Sequence, residues 1–307
     1  MNILFMGTPE FAEINLETLV NKGYNVCAVI SQPDKPRGRK MEIVMPPVKE
    51  YALSMNIPVY QPETLKDNAI LDLLKQYNPD VIVVVAYGKL LPEYVLNFPK
   101  FGCINVHGSI LPKYRGSAPV QWSVINGEKY AGVTTMYMNK GMDTGDILLQ
   151  KELEIKRFET SGELMMRLAP VGAELLLETL EKLEKGEVTP VKQNDDEATY
   201  APMLTKEMGR ISWDMSAEKI ENLVFGLNPW PCAYFESNKG VIKVYDAEAI
   251  DDGSSSNIGC IIKCDKELIV QTGCGKLKIH ELQLQGKKRM KADEFLRGNK
   301  FECGQVF

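Results

Sequence analysis

The chain has 307 residues, 44% hydrophobic and 25% charged, an ordinary globular composition with enough length for two cores. Its formal net charge of −5 excludes a surface coated in basic residues for nucleic acid, though not a local basic patch. No apolar run approaches the ~20 residues of a membrane helix, and the seven scattered cysteines, with no Cys-x-x-Cys pair, point to reduced thiols and no zinc site.

Ile3–Met6 reads as a short strand, and the opening Met1–Gly7 lacks the basic region and long apolar stretch of a signal peptide. A cytoplasmic location is the expectation. Thr8 can cap a helix starting at Pro9, with Ala12, Leu16, Leu19 and Val20 at helical spacing and Gly23 ending it. Val26–Ile30 is the next strand. The segment Ser31–Pro47 is long for a strand-to-helix connection, which typically takes ~2–6 residues. Lys35, Arg37, Arg39 and Lys40 make it locally positive, so phosphate contact and a solvated surface loop are both open readings.

Val48, Tyr51, Ala52 and Met55 line one helix face, Pro58–Tyr60 is a short strand, and Ile70, Leu71, Leu74 and Tyr77 form a further helical stripe. Val81–Ala86 is apolar on both faces, as a central parallel strand is. Strand and helix alternate, which predicts an α/β fold with a doubly wound, mostly parallel, Rossmann-like sheet. Neither a Gly-x-Gly-x-x-Gly fingerprint nor a phosphate loop follows the first strand, so nicotinamide and nucleoside triphosphate readings are weak. Ligands in such sheets bind beyond the carboxyl ends of the strands. Gly7-Thr8-Pro9, Ala86-Tyr87-Gly88 and His107-Gly108-Ser109 are the candidate lips.

The run from Cys103 to Pro119 carries the chemistry. Asn105 and His107 share one face of a strand that then breaks into Gly, Ser and Pro. An amide and an imidazole there can hold an oxyanion and move a proton. Ser109 fits a loop role better than that of a nucleophile. Val133–Met138 is another strand, followed by the loop Asn139–Asp146, whose Asp143 can reach the site, set the charge state of His107 and orient a water. Together these groups suit acyl-type transfer directly between two bound substrates. On spacing alone, a satisfied structural histidine and a turn-forming aspartate remain open. Ile147–Ile155 reads as a strand and Ser161–Lys185 as a long helix.

Polar, aperiodic residues then predict a linker over 190–206, dividing the chain into 1–189 and 207–307. Past it, a helix at Ser216–Phe225 precedes Asn228-Pro229-Trp230-Pro231. Short β runs follow at Ala233–Glu236, Val241–Tyr245, Gly259–Ile262, Leu268–Gln271 and Leu277–Leu284, a pattern that suits a smaller C-terminal β-barrel of OB-like type. Lys287, Lys288, Arg289 and Lys291 form a second basic cluster, either a nucleic-acid track or an exposed face.

Asn105-x-His107, Ser109-Ile110-Leu111-Pro112-x-Tyr114-Arg115-Gly116 and Asp143 together resemble the signature of the folate-dependent formyltransferases. The Met-Gly-Thr-Pro-Glu-Phe start, the Gln-Pro-Asp-x-Pro-x-Gly-Arg loop, the Val-Val-Ala-Tyr-Gly strand end and the Asn-Pro-Trp-Pro segment extend the resemblance over nearly the whole chain, to members whose acceptor is initiator methionyl-tRNA. The resemblance implies a catalytic domain over 1–189 and a tRNA-binding domain over 207–307. It implies 10-formyltetrahydrofolate as co-substrate, no metal, and Asn105, His107 and Asp143 as catalytic groups. Ser109, Ile110, Leu111 and Pro112 would contact folate, with Ala86, Tyr87 and Gly88 a wall of the same pocket. Lys35, Arg37, Arg39 and Lys40 would approach the acceptor stem, Arg39 foremost, and Lys287, Lys288 and Arg289 would also serve tRNA. A nucleotide or nucleotide-sugar acceptor, and a non-catalytic RNA-binding protein, are the competing expectations.

Overall fold

The computed structural model describes residues 1–37, 42–251, 253 and 256–307. Arg39 and Lys40 of the basic segment lie outside the described residues. Met1–Pro119, Ala131–Leu153 and Met165–Ala201 form one compact unit; Val120–Tyr130, Glu154–Leu164 and Pro202–Phe307 form a second.

The chain begins with β1 (Asn2–Gly7), α1 (Glu10–Asn21), β2 (Asn25–Ile30), β3 (Lys35–Arg37), β4 (Glu42–Val44), α2 (Pro47–Ser54), β5 (Val59–Tyr60), α3 (Leu71–Tyr77) and β6 (Val81–Val85). It continues through α4 (Glu93–Leu96), β7 (Cys103–His107), β8 (Arg115–Gly116), α5 (Pro119–Ile125), β9 (Tyr130–Tyr137), β10 (Ile147–Glu154), α6 (Ser161–Lys185) and β11 (Tyr200–Ala201). Seven of these strands make one sheet in the order β10-β9-β7-β6-β1-β2-β5. From β7 to β5 all neighbours are parallel, and β9 runs antiparallel to β7. All five residues of β6 are buried, which accounts for a strand made only of Val and Ile. The chain winds outward from β1 to β2 and β5, then crosses to the other side of β1 for β6. That reversal opens a crevice at the carboxyl ends of β1 and β6, the usual ligand position in such sheets.

Helix α1 starts at Glu10, with Pro9 extended before it (φ −83°, ψ 177°) and no side-chain cap. Thr8 instead accepts a hydrogen bond from the Gln32 amide at 3.4 Å. Glycine is required at position 7 because a Cβ there would lie 2.7 Å from the Cβ of Ala12, across the tight strand-to-helix turn. The polar stretch after α6 is tied into the first unit. Val191 exchanges two backbone hydrogen bonds with Ile147, of 2.8 and 2.9 Å, and β11 pairs in parallel with β8.

The second unit holds α7 (Ala217–Gly226), β12 (Ala233–Ser237), β13 (Gly240–Ile250), β14 (Ile261–Lys263), β15 (Leu268–Gln271), β16 (Lys276–Leu284), β17 (Met290–Lys291) and α8 (Ala292–Gly298). Its antiparallel sheet runs β12-β13-β16-β15-β14, with β17 on β16. Ser216 caps α7 by accepting from the Lys219 amide at 3.3 Å. Strand β13 extends to Ile250, well past the expected end at Tyr245. Its register against β16 shifts around Asp246, the mark of a bulge, which curls the sheet. Trp213, Phe235 and Phe307 pack together, with Phe235 and Phe307 ring centroids 4.7 Å apart. Among the described residues no helix is long and apolar enough to cross a membrane.

Candidate active site

Asn105 and His107 stand two residues apart at the carboxyl end of β7, so they share a face of the sheet. Both are buried, at 9% and 6% exposure. The Asn105 amide makes no hydrogen bond among the described residues, although most buried amides are satisfied. Nε2 of His107 donates to the carbonyl oxygen of Tyr114 at 2.9 Å. A carbonyl only accepts, so Nε2 carries a hydrogen. Nδ1 lies 3.8 Å from Oδ2 of Asp143, an ion-pair separation and too long for a hydrogen bond.

Asp143 is held from several sides. Its Oδ2 accepts from the Gly116 amide at 2.8 Å. Its backbone is left-handed, at φ +52°. The surrounding loop is organised by Asn139, whose Oδ1 accepts from the Gly141 amide at 2.9 Å and from Thr144 Oγ1 at 2.8 Å. Gln193 Nε2 donates to the carbonyls of Asp143 and Gly145 at 2.8 and 2.7 Å. Oε1 of the same side chain accepts from Arg115 Nε and Nη2 at 3.0 and 2.8 Å. Arg115, 2% exposed, also reaches Asp195 Oδ1 at 2.8 Å. Gln193 and Thr199 come from the segment expected to be a linker; Thr199 Oγ1 accepts from the Tyr114 amide at 2.9 Å.

The expected folate wall is built on Thr134. Its hydroxyl donates to the Ser109 carbonyl at 2.7 Å and accepts from the Leu111 amide at 3.2 Å and from Gln150 Nε2 at 3.0 Å. One hydroxyl has a single donor and two lone pairs, so Thr134 is fully used in shaping this turn. Gln150 Nε2 also donates to the Leu111 carbonyl at 2.8 Å, and Ser109 Oγ donates to that of Lys113 at 2.7 Å. Ser109 and Leu111 are buried, Ile110 and Pro112 half-buried, and the Leu111–Pro112 bond is cis. Beyond β6, Ala86 and Gly88 are exposed with left-handed backbones, at φ +45° and +83°, either side of buried Tyr87. Burial pushes the Tyr87 phenol up to about 12. Its carbonyl accepts from Gln32 Nε2 at 3.0 Å, which ties this lip to the root of the basic segment.

That segment is an antiparallel hairpin of β3 and β4, with Lys35 exposed and Arg37 opposite Glu42 in the ladder. At its root Lys49 Nζ meets both Asp34 carboxylate oxygens, at 2.9 and 2.7 Å, and Gln61 donates to the same carboxylate. Hydrogen bonds from Lys49 and then Gln61 hold the Asp34 carboxyl below its usual range. In the second unit, Lys287 and Lys288 are exposed after β16, whereas Arg289 pairs with Glu281 and lies over the Tyr245 ring at 4.4 Å. A cavity of about 720 Å³ in that unit is lined by Tyr245, His280, Lys278 and Arg289 among others, and Lys278, His280 and Arg289 there face Glu267, Glu248 and Glu281. Among the described residues no group of three or more His, Cys, Asp or Glu side chains could hold a metal ion.

Residues 1–180 match the formyl transferase family, and residues 203–300 match the formyl transferase C-terminal domain. The chain belongs to the formyl transferase family. This formyltransferase is 49% identical over 307 residues to the methionyl-tRNA formyltransferase of Caldanaerobacter subterraneus subsp. tengcongensis, covering 100% of this chain and 99% of the relative. It is 47% identical to that of Clostridioides difficile, with the same coverage of both chains. Among solved structures it resembles WlaRD, a sugar 3N-formyl transferase crystallised with dTDP and 5-N-formyl-THF. There the TM-score is 0.68 at 17% identity, covering 94% of this chain and 99% of that one, a likeness of fold. The first family match contains Asn105, His107 and Asp143, while Gln193 falls between the two matches.

Proposed function

We propose that this formyltransferase moves the formyl group of 10-formyltetrahydrofolate to the α-amine of methionine on initiator tRNA, in the cytoplasm, for translation initiation. The acceptor rests on relatives of that name, 49% identical across the full length. The chemistry rests on one observation: a buried amide with no hydrogen-bond partner among the described residues stands two residues before an imidazole that faces a carboxylate.

The folate supplies an electrophilic formyl carbon. Asn105 Nδ2, which bonds to none of the described residues, offers a hydrogen bond where negative charge develops on the formyl oxygen. The bond from Nε2 to Tyr114 fixes the His107 ring, which leaves Nδ1 to face the reacting groups and Asp143. A free α-amine titrates near ~7.7–8.0, so much of it arrives protonated and must lose a proton before attack. His107 Nδ1 takes that proton, with Asp143 assisting through an ordered water. The amine nitrogen then bonds to the formyl carbon, and collapse of the tetrahedral intermediate breaks the bond from that carbon to N10, so that tetrahydrofolate leaves with a proton on N10. Ser109–Pro112 and Ala86–Gly88 form the walls for the pterin. Lys35, Arg37, Arg39 and Lys40 approach the acceptor stem, and 207–307, with Lys287, Lys288 and Arg289, follows the tRNA backbone.

The test is incorporation of labelled formyl from 10-formyltetrahydrofolate into charged initiator tRNA, run beside a dTDP-amino-sugar acceptor. Fast, folate-dependent transfer to the tRNA is expected. Transfer to the sugar alone, or tRNA binding with no folate affinity, would overturn the reading.

A further inference from the structure

We infer that Gln193 is a positioning residue for Asp143, oriented by the buried guanidinium of Arg115. This deepens the proposed function and rests on Asp143 acting beside His107. A guanidinium has only donors. Two of them meet Oε1 of Gln193, at 3.0 and 2.8 Å, so the amide oxygen faces Arg115 and the nitrogen faces away. On that far side stand two carbonyls, those of Asp143 and Gly145, which only accept. Turning the amide over would set donor against donor and acceptor against acceptor, so a single orientation satisfies the network. Gln193 is 6% exposed, and water does not readily replace either side.

The brace acts where the backbone needs it. Asp143 is a non-glycine residue with φ +52°, a conformation that persists only when its surroundings fix it. The two bonds from Gln193 pin the peptide carbonyls of Asp143 and Gly145, and the Gly116 amide pins the carboxylate. Arg115 and Gly116 are adjacent, so one two-residue strand, β8, holds Asp143 directly through Gly116 and indirectly through Gln193. The separation of Asp143 from His107 Nδ1 is therefore set by a residue 50 positions further along the chain.

Gln193→Glu isolates the claim. The carboxylate still accepts from Arg115, but it presents an oxygen to two carbonyls in place of a donor. The expected result is a kcat for formyl transfer ~10- to 100-fold lower, as a displacement on the order of 1 Å in a catalytic group produces, with KM for both substrates little changed and the thermal midpoint lowered because two carbonyls lose their donor. In the residual rate of an Asp143→Ala background, Gln193→Glu should cause no further loss, because both changes remove one shared effect. If Gln193→Glu does not fold, Gln193→Met, apolar and of similar length, enters the same cycle. Wild-type kcat in the folded single variant, or a full multiplicative loss in the double variant, overturns the positioning role. Inactive His107→Ala beside fully active Gln193→Glu sinks this inference alone. Fully active, folded His107→Ala sinks the proposed function instead.

Discussion

The imidazole of His107 is bonded through Nε2 to the carbonyl oxygen of Tyr114, 2.9 Å away and seven residues later. Tyr114 has a left-handed backbone (φ +61°), and its carbonyl is 7 residues from a strand end that it nevertheless locks. The two ring nitrogens therefore have separate duties, one structural and one facing Asp143. A glutamine places its nitrogen near the Nε2 position. His107→Gln should keep the bond to Tyr114 and near-native stability, yet lose ~10²–10³ in kcat. His107→Ala should be as inactive and also less stable, by ~1–3 kcal/mol, because the Tyr114 carbonyl loses its donor. Thermal melts and single-turnover formyl transfer on both variants decide this.

Asn105→Ala should separate activity from stability more cleanly. Its side chain makes no hydrogen bond among the described residues, so truncation strands no partner. Removal of one oxyanion donor typically costs ~10²–10³ in turnover. The expected outcome is that loss with an almost unchanged midpoint and unchanged folate affinity. Turnover within a few-fold of wild type would remove Asn105 from the mechanism.

The basic segment Ser31–Pro47 should affect one substrate only. Arg39→Ala is expected to raise KM for tRNA strongly while folate affinity holds, and tRNA binding should weaken steeply with added salt as counterions are displaced less favourably. Lys35→Ala should act in the same direction. Equal losses for folate and tRNA would contradict the assignment.

Alkaline pH should destabilise the native chain. Burial pushes the Cys103 thiol up to about 12, and the Tyr87 phenol likewise to about 12. In the unfolded chain these groups titrate near ~8.5 and ~10. Above ~8.5 the unfolded state gives up protons that the native state keeps, so stability falls with rising pH. The thermal midpoint should decline from about pH 8.5 upward, and Cys103→Ala should flatten the first part of that decline. A midpoint that rises over this range would contradict both shifts.

The loop glycines are also testable. A Cβ on Gly145 would collide with the Tyr137 carbonyl, so Gly145→Ala should lower both stability and kcat, read by melting and by formyl transfer.

The central sheet is plain in the sequence because Val81–Val85 is apolar on both faces, and β7 declares its end where Cys103–His107 meets Gly108. Other elements give no local signal. In the sequence, strand β13 reads as ending at Tyr245 because the bulge near Asp246 breaks the alternation: Ile242, Val244 and Ala247 are buried, two and then three residues apart. The excess length of the basic segment is visible, but its hairpin is only three residues per strand, too short for a periodicity. Residues 190–206 look aperiodic because they work through backbone bridges and single polar side chains; Gln193 and Thr199 have no pattern to betray them. Thr134 is equally silent, a small polar residue inside an apolar strand.

The pairing of Tyr200–Ala201 with Arg115–Gly116 has a consequence for synthesis. A ribosome delivers Asn105, His107 and Asp143 first, and Ala201 follows Asp143 by roughly 3–12 s at ~5–20 residues per second. Until then the Gly116 amide and the Asn139-organised turn can hold Asp143, but the brace from Gln193 and the β8–β11 pairing are still missing. Premature termination between Asp143 and Gln193 leaves a fragment that holds Asn105, His107 and Asp143 but lacks the side chain that fixes the Asp143 and Gly145 carbonyls.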